Sequence, residues 1–197
     1  KRFAAQARRG NGSLGFLSLC PHEVGKLHMV GILIGSDSDL PVVKEALEAL
    51  ALFQIPCEIE IASAHRLPER VREYARTAAT RGLKVIIAAA GGAAHLPGVV
   101  AAHTPLPVVG VPVGGGSLGG LDALLSIVQM PKGVPVATVA VNGAFNAGIL
   151  AAQIIGASDP AVRERVAAYK EQLGREVAAK NERLQALGVE DYLRLKS

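Results

Sequence analysis

Val30-Gly31-Ile32-Leu33-Ile34, then Gly35-Ser36-Asp37-Ser38-Asp39, then Leu40-Pro41: this stretch decides the fold. The first five residues form an apolar run with β-branched content, the pattern of a buried strand. The next five are glycine and short polar residues, which build turns and cap helices. Pro41 opens a helix, since its missing N–H would be unpaired in the first turn anyway. Val42, Val43, Ala46, Leu47 and Leu50 then recur at helical spacing as far as about Phe53. Strand, polar turn and amphipathic helix make the first half of a βαβ unit.

The unit repeats outward from there. Cys57–Ala62 reads as a second strand and Pro68–Arg81 as a helix with Val71, Tyr74, Ala75 and Ala78 on one face, closed by Gly82. Val85–Ala89 is a third strand, followed by a short helix to about Ala102. Val108–Val113 is a fourth, followed after the glycine-rich turn at 114–120 by a helix over Leu121–Gln129. Val134–Val141 is expected as a fifth strand and Phe145–Ile155 as an Ala-rich helix. Strands separated by helices require right-handed crossovers. The expected fold is therefore α/β: a three-layer, flavodoxin- or Rossmann-like open sheet, mostly parallel. Asp159-Pro160 starts a last helix, with Asp as cap and Pro at the first position. It runs to about Leu187, with Val162, Val166, Tyr169, Leu173, Val177 and Leu184 in one apolar stripe. That stripe packs either on its own domain or on a neighbouring subunit. The expected organisation is a disordered extension over 1–28, one domain over 29–187 including the last helix, and a tail over 188–197.

Composition agrees with a buried parallel sheet. Half of the 197 residues are hydrophobic, yet only 4% are aromatic and none is Trp, so the core is Ala, Val, Ile and Leu. The net charge of +4 belongs to the front segment. Lys1, Arg2, Arg8, Arg9 and Lys26 stand there against Glu23 alone, and residues 29–197 balance to zero. No basic face interleaved with aromatics follows, which argues against nucleic acid. Two cysteines, Cys20 and Cys57, do not make a disulfide framework and fit a reducing compartment. No apolar run approaches the roughly 20 residues of a membrane span, so the expected location is cytoplasmic. Organellar targeting by the Arg-bearing front stays open, although Gly10, Gly12 and Gly15 spoil an amphipathic helix there.

In parallel α/β sheets ligands bind beyond the carboxyl ends of the strands. Four clusters follow strands: Gly35–Asp39, Ser63–Pro68, Ala90–Pro97 and Gly114–Asp122. In the first, Ser36, Ser38 and backbone amides can cradle a phosphate, and Asp37 or Asp39 can hold ribose hydroxyls. Plain helix capping is the simpler alternative. The spacing is neither a dinucleotide fingerprint nor a P-loop. In the second, the His65 imidazole can both donate and accept a proton, while Arg66 offers a fork for phosphate or carboxylate. In the third, Gly91 and its neighbours allow close approach to the backbone, the alanines form an apolar wall, and His95 is either a ligand contact or structural. No Cys pair or His-Glu-x-x-His suggests a metal, and no Gly-x-Ser-x-Gly elbow suggests a serine hydrolase.

Gly35-Ser36-Asp37-Ser38-Asp39, Ser63-Ala64-His65-Arg66, Ala90-Gly91-Gly92-Ala93-Ala94-His95-Leu96-Pro97-Gly98, Ser126–Pro131 and Gly133–Ala140 together resemble the class I PurE family, the 5-(carboxyamino)imidazole ribonucleotide mutases. The resemblance covers about residues 29–180. It implies a purine-biosynthesis isomerase that moves a carboxylate from the exocyclic nitrogen of an aminoimidazole ribonucleotide to ring carbon C4. The implied route is decarboxylation and recarboxylation, with no metal, biotin or nucleotide cofactor. It makes His65 the proton shuttle and places Ser36, Asp39 and Arg66 at substrate-binding positions. Ser63, Asp37, His95, Gly91 and Leu96 lie in its site motifs. It further implies a homo-octamer, and a functional link to the synthetase that makes the carbamate substrate. Leu67 departs from the usual Thr, and Gly114-Gly115-Gly116 is richer in glycine than usual. Three other functions compete: an aminoimidazole ribonucleotide carboxylase using free carbon dioxide, a non-catalytic nucleotide-binding module, and an interaction protein acting through its basic front segment.

Overall fold

The computed structural model describes residues 28–195. Apart from His28, the front extension expected to be disordered lies outside the described residues, as do the last two residues of the tail. Five strands, β1 (Val30–Ile34), β2 (Cys57–Ile61), β3 (Val85–Gly91), β4 (Val108–Val113) and β5 (Ala137–Thr138), form one sheet in the order β2-β1-β3-β4-β5. Every pairing is parallel. The helices are α1 (Leu40–Leu52), α2 (Pro68–Thr77), α3 (Leu96–His103), α4 (Leu121–Val128), α5 (Ala144–Gly156) and α6 (Pro160–Arg194).

Alternation along the strands sorts the apolar side chains into two cores. Ile32 and Ile34 of β1 face one way, with Ile87 of β3 and Val109 and Val111 of β4; α1, α5 and the start of α6 cover them with Leu47, Leu50, Ala147, Ala151 and Val162. Leu33, Ile86 and Ala88 face the other way, under Val71 and Tyr74 of α2, Val100 of α3 and Ile127 of α4. The expected three-layer α/β architecture is thus present, with the flavodoxin-type strand order. Fully buried Ile, Leu and Val on both faces explain why the strands read as continuous apolar runs.

The sheet and α2 differ from expectation in three places. Only Ala137 and Thr138 of the expected Val134–Val141 strand pair with β4. Pro135 carries no N–H for a ladder, and Pro112 offers β5's side only a carbonyl, taken by the Asn142 amide at 2.8 Å. β3 runs two residues past Ala89, because β4 continues alongside with Ala90 opposite Pro112 and Gly91 opposite Val113. α2 stops at Thr77, whose hydroxyl bonds the carbonyls of Glu73 and Tyr74. Irregular turns then lead to Gly82, at φ 96°.

The last helix starts as expected: the Asp159 carboxylate accepts from the amides of Ala161 (2.9 Å) and Val162 (3.2 Å). It breaks at Gly188 (φ 73°, ψ 168°), directly after the expected end at Leu187, and helical residues resume to Arg194. Val162 and Val166 are buried on their own domain, whereas Leu173 and Val177 are 43% and 64% exposed. No helix among the described residues is long and apolar enough to cross a membrane.

Candidate active site

The strand order reverses between β1 and β3, and the crevice over that switch point is where parallel sheets bind ligands. A cavity of about 390 Å³ lies there. Its walls come from the turns after β1 (Gly35, Ser36, Ser38, Asp39), after β2 (Ser63–Arg66) and around the end of β3 (Ala90, Gly91, Ala94–Leu96). Eight of the nine residues expected at the site line it: Ser36, Asp39, Ser63, His65, Arg66, Gly91, His95 and Leu96. Asp37 does not. It is exposed and lines an adjoining cavity of about 410 Å³ that shares Gly35, Ser36, Ser63 and Arg66 with the first. Gly114–Asp122, the fourth cluster, lines neither.

Local chemistry shapes the β1 turn. The Ser36 side chain accepts from the Ser38 amide at 3.3 Å and caps the single 3-10 turn over Asp37–Asp39. Its own hydroxyl donates to Asp37 at 3.1 Å. Capping and site-building therefore coexist in one turn. Asp39 is 7% exposed. Burial pushes its carboxyl above the ordinary value, and the Asp37 charge adds to this, against hydrogen bonds from Ser36, Ser38 and Gly35.

The β2 loop is tied to this turn. Arg66 donates from Nη2 to the Gly35 carbonyl at 3.0 Å, and its backbone N–H reaches Ser63 Oγ at 3.4 Å. Pro68 opens α2 directly afterwards. Arg66 thereby stands between the two cavities and contributes to both. From the other side, the turn after β3 sets His95 at the start of α3. Gly92 (φ 60°) and Ala94 (φ 41°) both take left-handed backbone there, the second at a cost for a residue with a Cβ. His65 Nε2 and His95 Nδ1 meet at 2.7 Å.

Sequence reasoning left His95 between contact and structural roles and did not pair it with His65; nothing in the spacing of residues 30 apart signals that contact. Ala90 and Ala94, among the alanines expected to form an apolar wall, line the cavity, and so does Ala64. Two imidazoles, a guanidinium, three serine hydroxyls and a buried carboxylate surround a space walled by Ala and Gly. That set can bind an anionic, hydroxylated ligand and move a proton on it.

Residues 29–176 match the family model described as AIR carboxylase. The chain is 60% identical over 163 residues to the N5-carboxyaminoimidazole ribonucleotide mutase of Mycobacterium tuberculosis, covering 83% of this chain and 94% of that one. It is 60% identical over 167 residues to the mutase of the same name from Thermotoga maritima, covering 85% and 98%. Among solved structures, PurE of Treponema denticola superposes with a TM-score of 0.73 at 28% identity, covering 79% of this chain and 98% of that one.

Proposed function

Since the chain belongs to the AIR carboxylase family, we propose that the switch-point crevice converts 5-(carboxyamino)imidazole ribonucleotide to 4-carboxy-5-aminoimidazole ribonucleotide, an isomerase reaction of purine biosynthesis. The relatives at 60% identity carry the mutase name, and the observation that carries the site assignment is His65 facing a cavity walled by Ala64, Ala90, Gly91 and Ala94. The carbamate N–C bond breaks, its electrons return to the aminoimidazole, and carbon dioxide is released into the cavity. C4 then attacks carbon dioxide, a C–C bond forms, and the C4 proton leaves. The exocyclic nitrogen gains one proton and C4 loses one. His65, able to accept and to donate, closes that balance without a cofactor. Small apolar walls suit carbon dioxide, and holding it beside C4 is worth effective molarities of roughly 10⁵ M or more. Arg66 and Ser36 bind the phosphate, with Ser63 beside them, and Asp39 takes ribose hydroxyls.

The decisive assay starts from the carbamate without added bicarbonate and follows the ultraviolet absorbance of the carboxylated product. Rapid conversion supports the mutase. Activity only from the unmodified ribonucleotide with high bicarbonate makes the protein a carboxylase instead, and binding without turnover makes it a nucleotide-binding module.

The exposed stripe of α6 beyond Tyr169, and Leu121, Leu125 and Val128 on one face of α4, support assembly through copies of this chain; we propose the homo-octamer. A cytoplasmic site of action, downstream of the synthetase that supplies the carbamate, completes the proposal.

A further inference from the structure

His65 Nε2 and His95 Nδ1 stand 2.7 Å apart, their rings edge-on at 82° with centroids 4.9 Å apart. Two imidazole nitrogens come this close when one carries a hydrogen and the other a lone pair. The contact therefore couples the tautomers. A donor at His65 Nε2 leaves the neutral ring a lone pair at its Nδ1 and requires the proton of neutral His95 to sit on Nε2; the opposite choice reverses both.

The two backbones are not held equally well, although both side chains are exposed. His95 follows Ala94, which is 3% exposed, packed in the core under α2, α3 and α4, and left-handed at φ 41°. Such a conformation persists only where its surroundings enforce it. The His95 carbonyl also accepts the Val99 amide at 3.0 Å, which locks the residue to the first turn of α3. His65 sits in an exposed turn, and among the described residues neither ring makes a further hydrogen bond. Orientation passes from the ring on the more firmly held backbone to the ring on the turn.

We propose that His95 is a positioning residue for His65: it holds the plane and tautomer of the reacting imidazole and carries no proton of its own through turnover. This rests on His65 being the proton-transfer group and adds what orients it.

Substitutions separate positioning from proton carriage. Phe at 95 keeps a ring and loses the nitrogen. Asn at 95 puts an amide oxygen or nitrogen near the place of Nδ1, so it can pair with His65 but cannot take up a proton. In the free full-length protein, ¹⁵N-resolved NMR of the His65 ring should show a slowly exchanging imidazole N–H. It should be lost in His95→Phe and present in His95→Asn, with thermal unfolding confirming that both variants fold. On the carbamate substrate, His95→Phe should lower kcat about 2–10-fold, the worth of one ordinary hydrogen bond, with KM within about twofold, and His95→Asn should restore kcat. An Asn variant as slow as Phe would make His95 a proton carrier and overturn the proposal. So would an unchanged kcat in His95→Phe, or no protected N–H in the parent. The NMR needs no turnover: a protected N–H in a protein that converts no substrate would sink the mutase function, and this role with it, while the ring contact stood.

Discussion

Asp39 and Glu58 stand at opposite ends of one sheet, both withdrawn from water, and burial acts on them with opposite results. Asp39 follows the C-terminal end of β1, and burial outweighs its hydrogen bonds, so its carboxyl lies above the ordinary range. Glu58 is the second residue of β2. Burial pushes it up as well, but the Tyr74 hydroxyl, donating at 2.7 Å, and the Arg81 guanidinium overcome that and hold it low; His28 adds a further positive partner at 3.4 Å when protonated. Arg81 also lies 4.5 Å over the Tyr74 ring. Gly31, opposite Glu58 in the β1–β2 register, leaves the space the Tyr74 hydroxyl occupies; a Cβ there would collide with it. At the Glu58 end a hydroxyl and a guanidinium outweigh the cost of burying the carboxylate; at the Asp39 end the hydrogen bonds do not. The difference fits the proposed binding of a ligand at the Asp39 end.

The largest expected effect lies at the Asp39 end. His65→Asn should keep the fold and substrate binding and lose at least about 10²-fold in kcat, the lower end of general acid–base catalysis. Turnover like the parent's in that variant would remove His65 from its role. Arg66→Ala should raise KM about 10–100-fold, the range for a hydrogen bond to a charged group, with a smaller change in kcat. An unchanged KM would mean that Arg66 only ties its loop to Gly35.

At the Glu58 end the readout is stability. Glu58→Ala leaves Arg81 and the Tyr74 hydroxyl without their acceptor and should destabilise by about 1–3 kcal/mol, lowering the melting temperature by several degrees with kcat untouched. Gly31→Ala should cost a similar amount, about 1–3 kcal/mol by overpacking. Equal activity losses in these and in the site variants would erase the distinction between the two ends.

The smallest effect sharpens the comparison through pH. The folded-state value of Glu58 is depressed, so its stabilisation is present above its unfolded value of about 4.3 and is lost as pH falls through the lower folded value. Asp39 is the reverse. Its folded value is raised, so its ionised form opposes folding at neutral pH, and that opposition is relieved as pH falls through the raised value. In denaturant titrations between about pH 3 and 7, Glu58→Gln should flatten the acid-side loss. Asp39→Asn should be no less stable than the parent at pH 7 and lose its relative advantage toward acid pH. Parallel curves for parent and both variants would refute the opposed shifts.

Most elements were legible because their signals are local. Pro41, Pro68 and the Asp159-Pro160 pair announce helix starts in covalent terms, and the runs at Val30–Ile34 and Val108–Val113 announce doubly covered strands. β5 was overread because its apolar composition outweighed Pro135 and because pairing depends on the donors of β4, which a single segment does not reveal. Ser36, Asp39 and Arg66 stood out because polar residues after apolar strands have no packing reason to be there. Asp37 and Asp39 looked equivalent by composition, yet one turn of 3-10 helix buries the second and exposes the first.

The sequence by itself determined the alternation of strand and helix, the parallel sheet that follows from it, and the set of polar turns at one sheet edge. Each of these depends on residues within a few positions of one another. Tertiary structure alone decided which turns meet. His65 follows β2 and His95 follows β3, strands that do not touch each other because β1 lies between them. Their rings meet across the end of β1 only because the sheet is ordered β2-β1-β3 and the loops fold inward over the switch point. Contacts of that kind depend on how distant surfaces are buried against each other.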